Sequence, residues 1–141
     1  MGRYITLYHF TDERNLESIK KNGLMCWSLL LNKKIPFIPA SDHLSRSLDV
    51  KKGLQKYVRL CLSPNHPMAY VAHKDGRIGR YKWLEITYYP LFWNTTLFSN
   101  KNATANDAIV NGDKSTALDS DDPQAEILVY MALNTSYIKN L

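Results

Sequence analysis

The chain has 141 residues, which is enough for one domain and too few for two hydrophobic cores of ordinary size. With 45% hydrophobic and 22% charged residues, the composition predicts a soluble globular domain and argues against a disordered chain. Lys and Arg outnumber Asp and Glu by 18 to 13, for a net charge of +5, which favours a polyanionic partner or an anionic cofactor.

The apolar runs of the sequence are short. None approaches the roughly 20 residues that a membrane-spanning helix needs. The first residues also lack the basic region, apolar stretch and small-residue cleavage site of a secretory signal. We therefore expect no membrane contact and a cytoplasmic location.

The chain begins with a predicted strand and a predicted helix. Residues 4–10 are rich in β-branched and aromatic side chains, which is typical of a strand. A helix is predicted over about residues 12–22, because Thr11 or Asp12 can cap its start and Gly23 can adopt the left-handed conformation at its end.

A loop and a second short helix follow. Residues 25–40 have no sustained periodicity and contain two prolines, so they are predicted to form a loop. A Ser-Asp pair can then cap a brief helix in which Leu44 and Leu48 form an apolar stripe. Arg46 lies two residues from each leucine and is therefore predicted to face away from that stripe.

The rest of the chain mixes strands, short helices and loops in no strict βαβ order, which favours the α+β class. Strands are predicted over residues 57–62, 83–88, 96–99 and 125–132. A helical turn is predicted over 68–73, a short helix over 102–108 and a loop over 109–122.

Cysteine and histidine spacing argues against a disulfide framework and against a metal site. Cys26 and Cys61 have no CxxC spacing and are predicted to be buried as small hydrophobic residues. His43, His66 and His73 lack the close paired spacing of zinc ligands. We therefore expect no metal.

Three polar side chains stand out by their positions. His9 ends the first strand, Arg46 lies in the short helix, and Glu126 opens the strongest late strand. A carboxylate that opens a buried strand is partly desolvated and needs a partner or a function. Each residue also has a structural explanation: a core histidine, a surface charge, and a strand-edge charge that opposes aggregation.

Several short motifs occur in a fixed order along the chain. The sequence reads Leu-Tyr-His-Phe-Thr over residues 7–11, Tyr-Val-Arg over 57–59, Leu-Phe-Ser over 97–99 and Gln-Ala-Glu over 124–126. Together these motifs resemble the DarT family of ADP-ribosyltransferase toxins, which use NAD to modify thymidine bases in single-stranded DNA. The sequence departs from the family pattern where the usual Asp-Gly pair is replaced by Asn-Lys.

The resemblance implies a single domain over residues 1–141 with an ADP-ribosyltransferase-like α+β fold, built on a split antiparallel β core with short flanking helices. It implies transfer of ADP-ribose from NAD, the co-substrate, to a base of single-stranded DNA, with thymidine as the expected base and release of nicotinamide. Family members act as toxins of toxin–antitoxin or phage-defence systems. A neutralising macrodomain antitoxin is therefore an expected partner.

The resemblance also implies roles for individual residues. Glu126 and Arg46 are the implied catalytic residues: the glutamate would hold the nicotinamide-side ribose and accept the proton of the attacking base, and the arginine would approach the pyrophosphate or the transition state. His9 would donate a hydrogen bond to the adenosine-side ribose or its phosphate. Further NAD contacts are implied at Thr11, Asn22 and Leu24.

The acceptor side of the site is expected next to the last strand. Gln124 lies two residues before Glu126 and so on the same face of the strand, where by resemblance it hydrogen-bonds the acceptor base. Because the preceding loop is acidic, phosphate contacts and base stacking are expected from the basic middle third of the chain. The candidate nucleic-acid contacts there are Tyr70, Lys56 and Arg59.

Other functions remain open on the sequence. The same fold could act on RNA, which a dependence on the 2′-hydroxyl would reveal. The replaced Asp-Gly pair also fits a catalytically inactive module that binds NAD or nucleic acid. An RNA 2′-phosphotransferase has less support, because the His-Gly-Thr motif of that class is absent and the chain has only His9-Phe10-Thr11.

Overall fold

The computed structural model describes residues 5–65 and 67–141. The strands in chain order are β1 (Leu7–Asp12), β2 (Leu24–Met25), β3 (Tyr57–Cys61), β4 (Tyr81–Ile86), β5 (Leu97–Ser99), β6 (Val110–Asn111), β7 (Glu126–Tyr130) and β8 (Ala132–Leu133). The α-helices are α1 (Leu16–Asn22), α2 (Trp27–Asn32), α3 (His43–Lys52), α4 (Pro67–Lys74) and α5 (Lys114–Leu118). Short 3-10 helices cover Glu13–Asn15, Tyr89–Phe92 and Thr135–Tyr137.

The main sheet has six strands in the order β4-β1-β3-β7-β5-β6, and each neighbouring pair is antiparallel. A second, two-stranded sheet pairs β2 with β8. The strand order differs from the chain order, so β3 and β7 pair although more than 60 residues separate them. The α+β class and the antiparallel β core predicted from the sequence are confirmed.

Strand β7 lies inside the sheet and is buried on both of its faces. It pairs with β3 on one side and β5 on the other. Ile127, Leu128 and Val129 are each at most 1% exposed, which explains why this strand reads as a continuous apolar run rather than an alternating one. The main core joins Ile127 and Val129 to side chains of β1, β3 and β4, among them Leu7, Leu60, Leu84 and Ile86, whereas Leu128 packs in a smaller cluster with Leu54 and Ala103.

The helix ends follow the predicted caps. The Asp12 side chain caps the 3-10 turn, which runs into α1, and the Asp42 carboxylate accepts a hydrogen bond from the Ser45 backbone N–H at 2.8 Å. Gly23 ends α1 with a φ of 84°, and a Cβ there would lie 2.8 Å from the Leu133 carbonyl oxygen. The close approach of β8 therefore requires a glycine at this position.

Two segments predicted as loops contain regular structure. Residues 25–40 hold the second residue of β2 and all of α2, and 109–122 hold β6 and α5. Strand β2 forms because Leu24 pairs with Leu133, a partner more than 100 residues away that local periodicity cannot reveal. Helix α5 is capped by the Asp113 side chain and is held by a buried alanine.

Other predicted boundaries were also wrong. Residues 102–108 form turns rather than a helix, because the Asn102 Oδ1 accepts hydrogen bonds from the Thr104 N–H and hydroxyl and so competes with helical bonding. The strand predicted over 125–132 breaks at Met131, whose φ of 65° separates β7 from β8. Strand β4 starts and ends two residues earlier than the predicted 83–88.

The remaining predictions agree more closely. Strand β3 and helix α4 match their predicted segments to within one residue at each end. The first strand extends two residues past its predicted end, and its predicted first residue, Tyr4, lies outside the described residues. Within the described ranges, no helix is both long enough and apolar enough to cross a membrane.

The end of β1 is fixed by a buried carboxylate. Asp12 is 1% exposed, and its two oxygens accept hydrogen bonds from the Arg14 backbone N–H, the Arg14 guanidinium and the Gly79 N–H, all at 2.8–2.9 Å. The hydrogen bonds from Arg14 hold the pKa of this carboxyl well below its ordinary value of 3.8. Asp12 thus joins β1 to the segment that leads into β4.

We expect Asp12→Asn to lower the free energy of unfolding by about 2–4 kcal/mol, because the amide would turn a donor toward buried N–H groups. The wild type should lose stability as pH falls below 3.8 toward the lower folded-state pKa, since the unfolded chain then binds the proton more readily. Urea unfolding at pH 7 and pH 3 measures both effects. The exposed Asp119→Asn is the control, and an equal response of the two variants would contradict the expectation.

Candidate active site

A cleft of about 220 Å³ opens between the main sheet and the helices that follow β1 and precede β3. Side chains of β1, α1, α2, α3, β3 and β7 line it, together with the segment 37–41. The walls include Leu24, Met25, Trp27 and Phe37, so much of the cleft is apolar. Such a cleft suits planar rings and leaves orientation to a few polar groups.

Glu126 supplies a carboxylate to this cleft. The residue opens β7 opposite Cys61 of β3 and Ser99 of β5, and it is only 6% exposed. Its Oε1 accepts hydrogen bonds from the Arg59 guanidinium at 3.0 Å and from the Ala103 backbone N–H at 2.9 Å. Among the described residues, Oε2 has no such partner, which leaves that oxygen for the cleft.

Arg59 bridges two carboxylates. Its guanidinium donates to Glu126 through one terminal nitrogen and to Asp49 of α3 through the other. The second oxygen of Asp49 accepts a hydrogen bond from the Trp27 indole N–H at 3.0 Å. Both terminal nitrogens of Arg59 are thus engaged inside the cleft, and the nucleic-acid contact expected of this residue from the sequence stays a prediction.

His9 lies beside this cluster in the cleft. Its Nδ1 donates a hydrogen bond to the Arg59 carbonyl oxygen at 2.8 Å. Burial lowers the pKa of the imidazole, so the ring is neutral and its Nε2 carries a lone pair. In this tautomer Nε2 accepts a hydrogen bond, which suits a ribose hydroxyl and differs from the donor role that the resemblance implied.

Arg46 is placed differently from the expectation. Leu44 is 66% exposed, so the leucine stripe of α3 is not its buried face, and the buried residue of that helix is Asp49. Arg46 lies one turn before Asp49 and donates hydrogen bonds to the carbonyl and hydroxyl oxygens of Ser41, at 2.6 and 3.2 Å. Ser41 itself lines the cleft. The contact of Arg46 with a pyrophosphate stays a prediction.

The structure brings together some of the predicted site residues and separates others. Those that line the cleft are His9, Thr11, Leu24, Arg59 and Glu126. Those outside its lining are Asn22, Arg46, Lys56, Tyr70 and Gln124.

Gln124 and Tyr70 lie outside the cleft lining but next to it: Gln124 contacts a lining residue, and Tyr70 lies on α4, whose Met68 lines the cleft. The Gln124 side chain accepts a hydrogen bond from Asn102 at 3.4 Å, and Asn102 lines the cleft. Tyr70 is 61% exposed on α4, with the Lys74 ammonium 5.9 Å from its ring centroid. Asn22 instead donates its side-chain hydrogen bond to Ser18 within α1.

Sequence reasoning missed three residues of the site, namely Asp49, Trp27 and Lys52. Their roles depend on contacts with residues 10 to 51 positions away. One signal was available: Asp49 is the single acidic residue of α3. If such a carboxylate is buried, it needs a cation beside it.

Both cysteines of the chain line the cleft. Cys26 and Cys61 are both free and buried, as predicted. Burial raises the pKa of the Cys61 thiol, so it is a neutral wall of the cleft rather than a nucleophile. In the part of the chain that is described, no group of three or more His, Cys, Asp or Glu side chains is arranged to hold a metal ion. His66, one of the histidines considered above, lies outside that part.

The antiparallel sheet and the buried glutamate in the cleft lining agree with what the resemblance implied. A family model described as "ssDNA thymidine ADP-ribosyltransferase, DarT" matches residues 8–121. The chain therefore belongs to the DarT family, a family of enzymes that transfer ADP-ribose to single-stranded DNA. The family and the fold predicted from the sequence are confirmed.

Solved structures of this family have the same fold. Thermosipho africanus DarTG in complex with ADP-ribose is 17% identical with a TM-score of 0.76, over 96% of this chain and 43% of that chain. Thermus sp. 2.9 DarT in complex with ADP-ribosylated ssDNA is 19% identical with a TM-score of 0.73, over 98% and 82%. The same Thermus protein in complex with NAD+ has a TM-score of 0.66 at 19% identity, over 96% and 80%.

This chain thus spans less than half the length of the Thermosipho chain. No curated protein matches the sequence.

We expect the His9 imidazole to titrate below pH 6.5, because burial lowers its pKa from that ordinary value. The unfolded chain binds a proton at this residue below pH 6.5, so the free energy of unfolding should decrease as pH falls through that value. NMR of the imidazole nitrogens reports the protonation state directly. Titration of His9 at or above 6.5 would contradict the partly buried, carbonyl-bound geometry.

Proposed function

We propose that this chain transfers ADP-ribose from NAD to thymidine in single-stranded DNA and releases nicotinamide. The observation that carries the proposal is the Glu126 carboxylate, which faces a largely apolar cleft and is held through one oxygen by Arg59 and the Ala103 N–H. The family match over residues 8–121 supplies the reaction class.

Cleavage of NAD in this reaction passes through an oxocarbenium-like state of the nicotinamide-side ribose. The bond between the ribose C1′ and the nicotinamide nitrogen breaks, and its electron pair leaves with nicotinamide. A carboxylate near C1′ stabilises the positive charge that develops. As a nitrogen of the base bonds to C1′, the proton of that nitrogen passes to the free Oε2 of Glu126, which thus acts as general base.

The cleft offers apolar walls for the rings of NAD and polar groups for its riboses and phosphates. Its apolar walls accommodate the planar nicotinamide, with Leu24 beside it, and exclude water from the reacting ribose. The neutral His9 accepts a hydrogen bond from a ribose hydroxyl, and Thr11 at the end of the same strand supplies a hydroxyl. We assign Arg46 to the pyrophosphate of NAD, which its guanidinium can reach if the side chain changes rotamer and leaves Ser41. We assign Asn22, the last residue of α1, to the rim of the NAD site.

The acceptor strand approaches from the side of Gln124. Its amide and that of Asn102 lie next to each other before β7, where they can read the hydrogen-bonding edge of an extruded base. Tyr70 offers an exposed ring for stacking of a neighbouring base, and Lys74 lies over that ring. Lys56, at the exposed turn before β3, is a further candidate contact for a phosphate.

A biological role follows from the chemistry. Modification of template bases blocks copying of DNA, so the enzyme would act as a toxin and would need a partner that removes ADP-ribose, for which a macrodomain protein is suited. A solved relative is described as DarTG in complex with ADP-ribose. Because NAD and single-stranded DNA are both present in the cytoplasm, we propose that the enzyme acts there.

We expect Glu126→Gln to lower the rate of transfer by at least about 100-fold, because an amide neither accepts the base proton nor stabilises a cation as a carboxylate does. The assay is mass spectrometry of mixed-sequence DNA and RNA single strands incubated with protein and NAD. Wild type should add one ADP-ribose to DNA, and fragmentation should place it on thymidine. The exposed Glu85→Gln on β4 is the matched control and should keep full activity.

The same assay separates the alternatives. Modification of RNA in place of DNA would move the target while keeping the chemistry. Salt-sensitive binding of DNA without any release of nicotinamide would support an inactive binding module and overturn the proposal. Full activity of Glu126→Gln would overturn the assigned mechanism.

We expect Gln124→Ala to raise the KM for DNA while leaving NAD binding unchanged, because the amide contacts the acceptor rather than the cofactor. A loss of one or two hydrogen bonds to the base corresponds to roughly 5- to 50-fold in kcat/KM for DNA. Steady-state kinetics with DNA as the varied substrate and calorimetry with NAD measure the two effects. An equal loss of NAD affinity would contradict the assignment.

A further inference from the structure

We infer that helix α3 positions the Glu126 carboxylate through two independent contacts, one made by Asp49 and the other by Lys52. The inference rests on the proposed function, since it concerns the glutamate that the function depends on. Asp49 and Lys52 are three residues apart and therefore lie on the same side of α3. Neither residue reaches Glu126 directly.

The first contact runs through Arg59. Asp49 is 6% exposed, and its two oxygens hold the Arg59 guanidinium and the Trp27 indole N–H. Held in this way, the guanidinium presents its other terminal nitrogen to Glu126 Oε1 at 3.0 Å. Because the guanidinium is planar and rigid, fixing one of its ends also fixes the other.

The second contact runs through the backbone after β5. The Lys52 ammonium donates hydrogen bonds to the Ala103 carbonyl at 2.8 Å and to the Ala105 carbonyl. These bonds hold the turn that follows Asn102, and the N–H of Ala103 points from this turn to Glu126 Oε1 at 2.9 Å. Ala103 is fully buried, so no water replaces its contact.

Both contacts end on the same oxygen of Glu126. They therefore fix the rotation of the carboxylate and direct Oε2 to the cleft. Two cations and two carboxylates, Lys52, Arg59, Asp49 and Glu126, make this cluster electrically neutral.

A requirement for stability does not by itself account for this arrangement. A buried ion pair is often less stabilising than apolar residues of similar volume. The buried Nε of Arg59 also has no hydrogen-bond partner, so the guanidinium is oriented toward the two carboxylates at the expense of one of its donors. Arg59, Asp49 and Lys52 are positioning residues, since they act on the reaction through Glu126.

Kinetics of single variants test this inference. We expect Asp49→Asn, Lys52→Met and Arg59→Met each to lower kcat for DNA modification by about 10- to 100-fold, as a misplaced catalytic group does, with the KM for NAD changed less than about threefold. Arg59→Lys should recover part of the loss, because an ammonium can still reach one carboxylate. The matched controls are Lys51→Met, the exposed neighbour on α3, and Arg80→Met, whose side chain is 90% exposed.

The controls remove the same positive charge as Lys52→Met and Arg59→Met, so a general loss of attraction for DNA affects both alike. Asp49→Asn removes a negative charge, so a weaker attraction for DNA cannot explain a loss of kcat in that variant. Circular dichroism and thermal unfolding identify variants that fail to fold, and Arg59→Lys keeps the test available if Arg59→Met does not fold. The inference would be overturned if the folded variants kept the wild-type kcat or changed only in KM. In that case the activity of the wild-type protein would still uphold the proposed function. An inactive wild type that binds NAD would instead overturn the proposed function.

Discussion

The burial of the Glu126 carboxylate is the constraint on which the rest of the site depends. A charge that is 6% exposed at the start of a central strand is unfavourable unless a cation and hydrogen-bond donors compensate it. Arg59 is in place to do so because β3 and β7 pair in a register that sets Cys61 opposite Glu126, two residues from the arginine. Arg59 and Cys61 point to the same side of the sheet, so the guanidinium reaches the carboxylate across neighbouring strands.

Compensation by an arginine creates a second requirement. The guanidinium has two terminal nitrogens, and the second one donates to one oxygen of Asp49. The other oxygen of Asp49 accepts a hydrogen bond from the Trp27 indole N–H. Helices α2 and α3 are thereby tied to the sheet by polar contacts, and the cleft lies between these elements. The same packing thus forms the cleft and holds the glutamate. Helix α3 contributes residues to the cleft lining and to the contacts that reach Glu126 through Arg59.

The DarT fold is kept here at a sequence identity below 20% to the solved family members. Such divergence is compatible with a common fold because burial and strand register tolerate exchange among apolar residues of similar volume. The chain covers most of the Thermus protein and less than half of the Thermosipho chain. The family model matches residues 8–121, which hold β2 to β6, all but the first residue of β1 and most of the cleft lining, whereas Glu126 and β7 follow the matched segment.

The sequence by itself determined the class of the fold, most of the longer elements, the first two helix caps to within one residue, and the family. These features depend on local periodicity and on short motifs, which neighbouring residues carry. It also marked His9 and Glu126, because a polar residue at the end or start of an apolar strand is unusual. It placed β2 and β6 in loops, since each strand has two residues and exists only through its distant partner.

Only the tertiary structure decided which cation serves Glu126. Arg46 and Arg59 carry the same charge, so the sequence alone does not show which of them pairs with Glu126. Strand pairing brings Arg59 to the carboxylate, while Arg46 hydrogen-bonds to Ser41. The roles of Asp49 and Lys52 were likewise decided by packing, because an ion pair is a contact between elements that no local pattern encodes.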